Sequence, residues 1–267
     1  VLGAGGTKGF AHVGALKVLH QRGIPIHLIV GASAGALFGS LYAALGELTR
    51  LEAVVRRLAP SHLLRWFLRG LNLGPPSYLG RRLGEVLHGL DFADLKVPFA
   101  AVALDLATGR RVVLRRGSVA EAVQASISPP VIVGPVWLEE RFLLDGGVHN
   151  TLPVDVAYEL GADLVIAIHL GDAFVLPPPL RPAAAAVALH SYWNSARPPS
   201  ISSQVAFMAR LLAQGRPWRR QPDVLIRPNM AGISAISPFH IRTCLERGER
   251  AARAALPLIN AALARPA

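Results

Sequence analysis

The chain has 267 residues, 52% of them hydrophobic and 17% charged, a composition that builds a sizeable core and excludes a disordered protein. A single cysteine, Cys244, excludes an intrachain disulfide and a cysteine-built zinc site, and it fits a reducing compartment. The net charge of +11 rests almost wholly on arginine, scattered in small clusters as on a solvated surface; it suits anionic partners such as phospholipid headgroups, and no nucleic-acid-binding module accompanies it.

Val1-Leu2 reads as the end of a strand, without a methionine before it, so a targeting segment upstream would be invisible in this sequence. The glycine-rich loop Gly3-Ala4-Gly5-Gly6-Thr7-Lys8-Gly9 follows. A helix is predicted over 10–21, with apolar residues at Ala11, Ala15, Val18 and Leu19 and a stop at Gly23. Residues 26–30 form a short β-branched run, which completes a parallel βαβ unit. Next comes Gly31-Ala32-Ser33-Ala34-Gly35, and then a helix predicted over 36–45. Strand, tight turn and helix are the context that makes G-x-S-x-G a nucleophile elbow. The glycines let the turn close with the serine at a strained backbone angle, above a helix N-terminus that favours developing negative charge. The competing reading is a plain Gly-Ser-Gly turn, and the flanking strand and helix favour the elbow.

Helices are predicted over 48–58 and 78–90. Between them, 63–73 sets Trp66, Phe67 and several leucines among arginines, an amphipathic stretch that covers a core or lies on a membrane surface. Strands over 97–104 and 111–115 join through Ala107-Thr108-Gly109 as a hairpin. A helix over 119–126 ends at Ser128-Pro129-Pro130, and extended segments over 131–136 and 141–144 follow, the second delivering Asp145-Gly146-Gly147. A helix over 154–160 and a strand over 164–169 come next. Residues 171–200, rich in Pro, Ala and Arg, read as an insertion or flap within one domain spanning 1–267. A helix over 205–212, a strand over 224–226 and a terminal helix over 239–263, interrupted at Pro257, close the chain. No apolar run reaches the roughly 18 residues of a membrane span.

The N-terminal loop raises a dinucleotide-binding reading first. The spacing opposes it, because Gly3-Ala4-Gly5-Gly6-Thr7-Lys8 puts lysine where the fingerprint needs its third glycine, and the acidic ribose ligand about 20 residues on is absent. The loop does offer successive N–H groups at a helix start beside Lys8, a nest for an anion. If the anion is the alkoxide formed by attack of Ser33, the loop is an oxyanion hole, each well-placed donor lowering the barrier by about 2.7–4 kcal/mol.

A nucleophilic serine needs a base. Ser33, Asp145 and His169 or His240 stand in the chain order of an α/β-hydrolase triad, and His149 lies just beyond the glycine pair. Asp145 is the better candidate: it ends an apolar strand and is followed by two glycines. A carboxylate is a weak base at its ordinary pKa of about 4, so burial has to raise it. The competing reading of Asp145 is a turn or capping aspartate.

Taken in order, Gly5-Gly6-Thr7-Lys8-Gly9, Gly31 to Gly35 and Asp145-Gly146-Gly147 resemble the motifs of the patatin-like phospholipases. Ser128-Pro129-Pro130 and Pro238-Phe239-His240 resemble further family features, and Ala4 departs from it where another glycine is common. The resemblance implies a three-layer α/β/α sandwich with a mainly parallel sheet. It also implies a Ser33–Asp145 dyad without a catalytic histidine, an oxyanion hole at Gly5, Gly6 and Thr7 with the charge of Lys8 nearby, and no cofactor or metal. The expected activity is hydrolysis of fatty acyl esters of phospholipids or lysophospholipids through an acyl-enzyme. The expected setting is the cytoplasm, with peripheral contact to an anionic membrane and no nucleic acid. Phe38, Leu41 and 63–73 are expected to line an acyl channel. The alternatives are an esterase with a catalytic histidine, a non-catalytic lipid-binding module that kept the fold and, last, a nucleotide-binding protein.

Overall fold

The computed structural model describes residues 1–57, 87, 89–129, 134–171, 220–235 and 238–265. The expected elements at 63–73 and 205–212, the segment 171–200 beyond its first residue and most of 78–90 lie outside these residues.

The helices are α1 (Phe10–Gln21), α2 (Ala34–Leu45), α3 (Leu48–Arg57), α4 (Val119–Ser126), α5 (Val154–Glu159) and α6 (Ile241–Leu263); the strands are β1 (Ile29–Ala32), β2 (Phe99–Asp105), β3 (Arg111–Leu114), β4 (Val136–Leu138), β5 (Arg141–Asp145), β6 (Ile166–Ile168) and β7 (Val224–Ile226). The expected α/β architecture is present. Its sheet is mixed: β1–β2 and β6–β7 are parallel, while β3 and β5 run antiparallel to β2, and β4 antiparallel to β5. Leu2 links the two groups through parallel bridges to Gly31 and Ile168.

Strand alternation sends side chains to two cores. Ile29, Phe99, Ala101, Ala103 and Leu143 face the layer containing α1, α2, α4 and α6. Val30, Ala32, Ala100 and Val102 face Val154, Val156 and Ala157 of α5. With both faces covered, every residue of β2 is buried, which is why its sequence is a continuous apolar run ending in one aspartate.

The registers fix the functional geometry. A strand has two edges, and β3 overlaps β1 at Ala101 and Val102 and overlaps β5 at Ala103 and Leu104. β1 and β5 therefore share the other edge of β2 and run toward each other. Ala32 lies opposite Val102 and Asp145 opposite Ala103, so the two strand ends meet head to head.

Below this point α1 and α6 cross backbone to backbone. A Cβ on Gly14 would stand 2.1 Å from the Leu245 carbonyl oxygen, and one on Gly248 2.1 Å from that of Ala11. Lys17 adds ion pairs to Glu52 of α3 and Glu249 of α6. The terminal helix is not interrupted at Pro257 as the sequence suggested; it runs through to Leu263. Pro257 faces solvent, and so does Arg253 one turn earlier, so water can reach the carbonyl that loses its helical partner.

Candidate active site

Ser33 sits at the turn between β1 and α2 with φ 54° and ψ −123°. Few non-glycine residues adopt a positive φ, and at a functional turn the strain is held by the surrounding structure. The glycines on either side explain how it is held here. A Cβ on Gly31 would stand 2.4 Å from the Gly35 carbonyl oxygen, and one on Gly35 2.0 Å from that of Leu2. The helix begins at Ala34, two residues before the expected start, so Ser33 itself is its N-cap residue. The strand likewise runs to Ala32 rather than stopping at Val30, carried on by pairing with Ala101 and Val102.

The Ser33 hydroxyl donates to Asp145 Oδ2 at 2.6 Å, and both residues are buried. The other carboxylate oxygen, Oδ1, accepts from the Gly147 N–H at 2.8 Å. Burial raises the Asp145 pKa from 3.8 to about 7, against the opposing effects of the Ser33 hydroxyl and the Gly147 N–H. The carboxylate is thereby basic enough to share its proton near neutral pH. Its capping bond to Gly147 means that the turn reading of Asp145 is also true: one oxygen closes the turn and the other faces Ser33.

The three glycine-containing motifs converge here. A Cβ on Gly147 would meet Ala4 Cβ at 2.4 Å and Ser33 Cβ at 3.5 Å, while one on Gly9 would meet Ala34 Cβ at 2.5 Å. Within the N-terminal loop, however, the amides divide. Gly3 donates to Ile168, Ala4 to Thr151, Thr7 to Ala235 at 2.7 Å, and Lys8 to Gly5. The expected Thr7 donor is therefore turned away, toward the carbonyl of Ala235, and its hydroxyl also reaches Ser234 at 3.3 Å. Gly5 and Gly6 open the 3₁₀ turn that follows, so their N–H groups have no carbonyl within it to bond. Gly6 has φ 55°, and a Cβ on it would stand 2.2 Å from the Ala235 carbonyl oxygen. Ala4, the departure from the family pattern, lends its N–H to the scaffold.

His149 lies four residues beyond Asp145, at the end of the short 3₁₀ turn. The direct bond between Ser33 and Asp145 leaves no place for an imidazole between them. Phe38 and Leu41 do not line an open channel: both are buried in the core, with the Phe38 ring 5.0 Å from that of Phe10. Residues 63–73, the rest of the expected lining, lie outside the described part of the chain. Among the described residues no helix is long and apolar enough to cross a membrane.

Sequence reasoning missed two backbone clamps. The Ser33 N–H donates to the hydroxyl of Ser126, the last residue of α4, at 3.1 Å. The Asp145 N–H donates to the carbonyl of Ser128, in the serine-proline turn, at 2.9 Å. The Ser126 signal is legible in retrospect: Val119, Ala122, Val123 and Ser126 fall on one helical stripe, and a serine on an apolar stripe needs a buried partner.

A strained serine at a strand-to-helix turn, bonded to a buried carboxylate beside a glycine loop, is the layout of a nucleophile elbow. The family model described as patatin-like phospholipase matches residues 1–158, and the chain belongs to that family. Neuropathy target esterase sws of Drosophila melanogaster is 33% identical over 181 residues, 64% of this chain and 13% of that protein. An NTE family protein of Mycobacterium tuberculosis H37Rv is 31% identical over 277 residues, 96% of this chain and 46% of that protein. The chain thus spans less than half the length of these two relatives. VipD from Legionella pneumophila shares the fold, with a TM-score of 0.57 and 14% identity over 98% of this chain and 66% of that one.

Proposed function

We propose that residues 1–267 form one catalytic domain, a serine lipid acyl hydrolase that cleaves fatty acyl esters of phospholipids or lysophospholipids. The observation that carries the reading is the 2.6 Å bond from the Ser33 hydroxyl to a carboxylate that burial has made basic. In the reaction, Asp145 accepts the Ser33 proton as Oγ attacks the ester carbonyl. The Gly5 and Gly6 N–H groups hold the oxyanion, aided by the charge of Lys8 and the N-terminus of α2. Collapse expels the alcohol, which takes the proton from Asp145, and leaves the acyl group on Ser33. Water then attacks the acyl-enzyme with Asp145 again as base, returning the serine and releasing the fatty acid. Family membership supports lipid as the substrate, and the arginine-borne charge supports work at an anionic membrane surface.

Reaction with a fluorophosphonate followed by mass spectrometry of the adduct tests the dyad. The expected adduct is on Ser33; it is lost in Ser33→Ala and Asp145→Asn and kept in His149→Ala. Loss in the histidine variant would replace the dyad with a triad, and an unlabelled folded wild-type chain would point to a binding module.

The pH profile is a second test. The active form is the ionised carboxylate, so kcat/KM is expected to rise with pH through an apparent pKa near 7 and to level off above it. A profile flat from about pH 5 to 8 would contradict Asp145 as the base.

A further inference from the structure

The end of α4 touches both members of the site through their backbones. Ser126 Oγ accepts the Ser33 N–H at 3.1 Å and donates its own proton to the Val102 carbonyl at 2.6 Å. Its side chain is fully buried. Val102 lies where β1 and β5 meet on one edge of β2, and its carbonyl points into that junction, because a Cβ on Gly146 would stand 2.1 Å from its oxygen. The break between the two strands thus leaves two backbone groups without ladder partners, the carbonyl of Val102 and the N–H of Ser33. One hydroxyl has the one donor and the acceptor capacity to satisfy both.

The arrangement is directional. With its proton committed to Val102, Ser126 must present a lone pair to Ser33, so the hydroxyl cannot turn and compete for Asp145. The bond restrains the amide of the residue that carries the positive φ, one Cα away from the nucleophilic side chain. Two residues on, the Ser128 carbonyl restrains the Asp145 amide in the same way.

We infer that Ser126 is a positioning residue for the nucleophile, holding the Ser33 backbone in the strained turn that aims its Oγ at Asp145. The inference rests on the proposed Ser33–Asp145 chemistry. It goes beyond that chemistry in assigning a role to a side chain that need touch neither substrate nor the reacting atoms.

The test compares Ser126→Ala, Ser126→Cys and Ser126→Thr with the wild type in turnover of a soluble fatty acyl ester, fluorophosphonate labelling and thermal melting. Cysteine keeps the space filled while offering a weak acceptor, so it carries the test if the alanine variant fails to fold. Alanine and cysteine are expected to lower kcat and the labelling rate about 10²-fold with KM little changed, the size of effect a misplacement of about 1 Å produces. Threonine, which keeps the hydroxyl, is expected to restore most of the rate. A loosened Ser33–Asp145 bond also withdraws the interaction that lowers the Asp145 pKa, so the acid limb is expected to move to higher pH in the two slow variants. Burial, the Ser33 hydroxyl and the Gly147 N–H are the influences that bear on that carboxyl, and only the hydroxyl is disturbed. A folded alanine or cysteine variant with wild-type kcat and an unmoved acid limb overturns the inference alone, and so does a threonine variant as slow as alanine. A wild-type chain that neither turns over an ester nor labels at Ser33 overturns the dyad chemistry, and the inference with it.

Discussion

Asp145→Asn is expected to abolish the proposed ester hydrolysis and to stabilise the folded chain in neutral and alkaline solution. Asparagine cannot take the serine proton; in Ser-His-Asp hydrolases, where the aspartate only orients the base, the same replacement already costs about 10⁴-fold in kcat. The gain in stability follows from the same burial that makes the carboxylate useful. Folding raises the Asp145 pKa from 3.8 to about 7, so the native state holds this proton more tightly than the unfolded chain does. Below about pH 4 both states are protonated and there is no penalty. As pH climbs from there to 7 the unfolded chain ionises first, and native stability falls. Above 7 the whole penalty is present, about 4 kcal/mol for a shift of about three units. Asparagine has a similar shape, keeps an oxygen to accept from the Gly147 N–H, and never ionises. Melting curves at about pH 5 and 8.5 should therefore diverge, with the variant ahead by about 10 °C at the higher pH and the gap shrinking at the lower. A variant that melts at or below the wild type at pH 8.5 would mean that the carboxylate is not held in an apolar setting. The base reading would lose its physical ground.

That trade explains why the candidate site stands out in the sequence. Asp145-Gly146-Gly147 at the end of an apolar strand marks a buried carboxylate at a turn, and Gly31 and Gly35 mark the close backbone approaches of the serine turn. The helices α1 and α4 have the expected bounds: α1 is an apolar run stopped at Gly23, at φ 65°, and α4 starts where the Ser118 hydroxyl accepts from the Glu121 N–H. What sequence could not supply is the pairing between distant segments. The head-to-head meeting of β1 and β5 depends on which edge of β2 each strand occupies, and no local pattern encodes an edge.

The expectation of a backbone donor at Thr7 meets the same obstacle. Thr7 looked like an oxyanion donor because it stands in the loop. Its amide direction is set by Ala235, more than two hundred residues further along the chain. Arg247 of α6 holds that distant segment from below, donating to the carbonyls of Asn229 and Ala231 at 2.7 and 2.8 Å. Phe38 and Leu41 were read as channel walls on their proximity to the elbow, but a helix so close to the sheet centre has its apolar side chains consumed by packing. Pro257 was read as a break on propensity, and its exposed setting made that propensity cheap to override.

Gly35→Ala is expected to cripple both folding and catalysis, although alanine is the better helix former. Gly35 lies in the first turn of α2, where alanine would ordinarily gain about 1 kcal/mol. Here the added Cβ would stand 2.0 Å from the Leu2 carbonyl oxygen and 2.9 Å from that of Gly3. Both obstacles are backbone, so no side-chain rotation relieves them. The Leu2 carbonyl also accepts the Ala32 N–H at 3.1 Å, and the Leu2 N–H donates to Val30 at 2.9 Å. Those two bonds dock the glycine loop beside the elbow. Making room for the methyl group means moving the loop away from β1, and with it the proposed oxyanion donors Gly5 and Gly6 away from Ser33. Overpacking alone costs about 1–3 kcal/mol, and a shift of about 1 Å in the donors costs about 10²-fold in rate. Gly23→Ala supplies the contrast. Gly23 also disfavours a side chain, with φ 65°, but a Cβ there meets nothing within 4 Å. It should lose about 1–2 kcal/mol of stability to backbone strain while keeping kcat/KM. Melting and turnover measured together separate the two cases. If Gly35→Ala turned over ester at the wild-type rate, the contact between the Leu2 carbonyl and the elbow could not be what sets the distance from oxyanion donors to nucleophile.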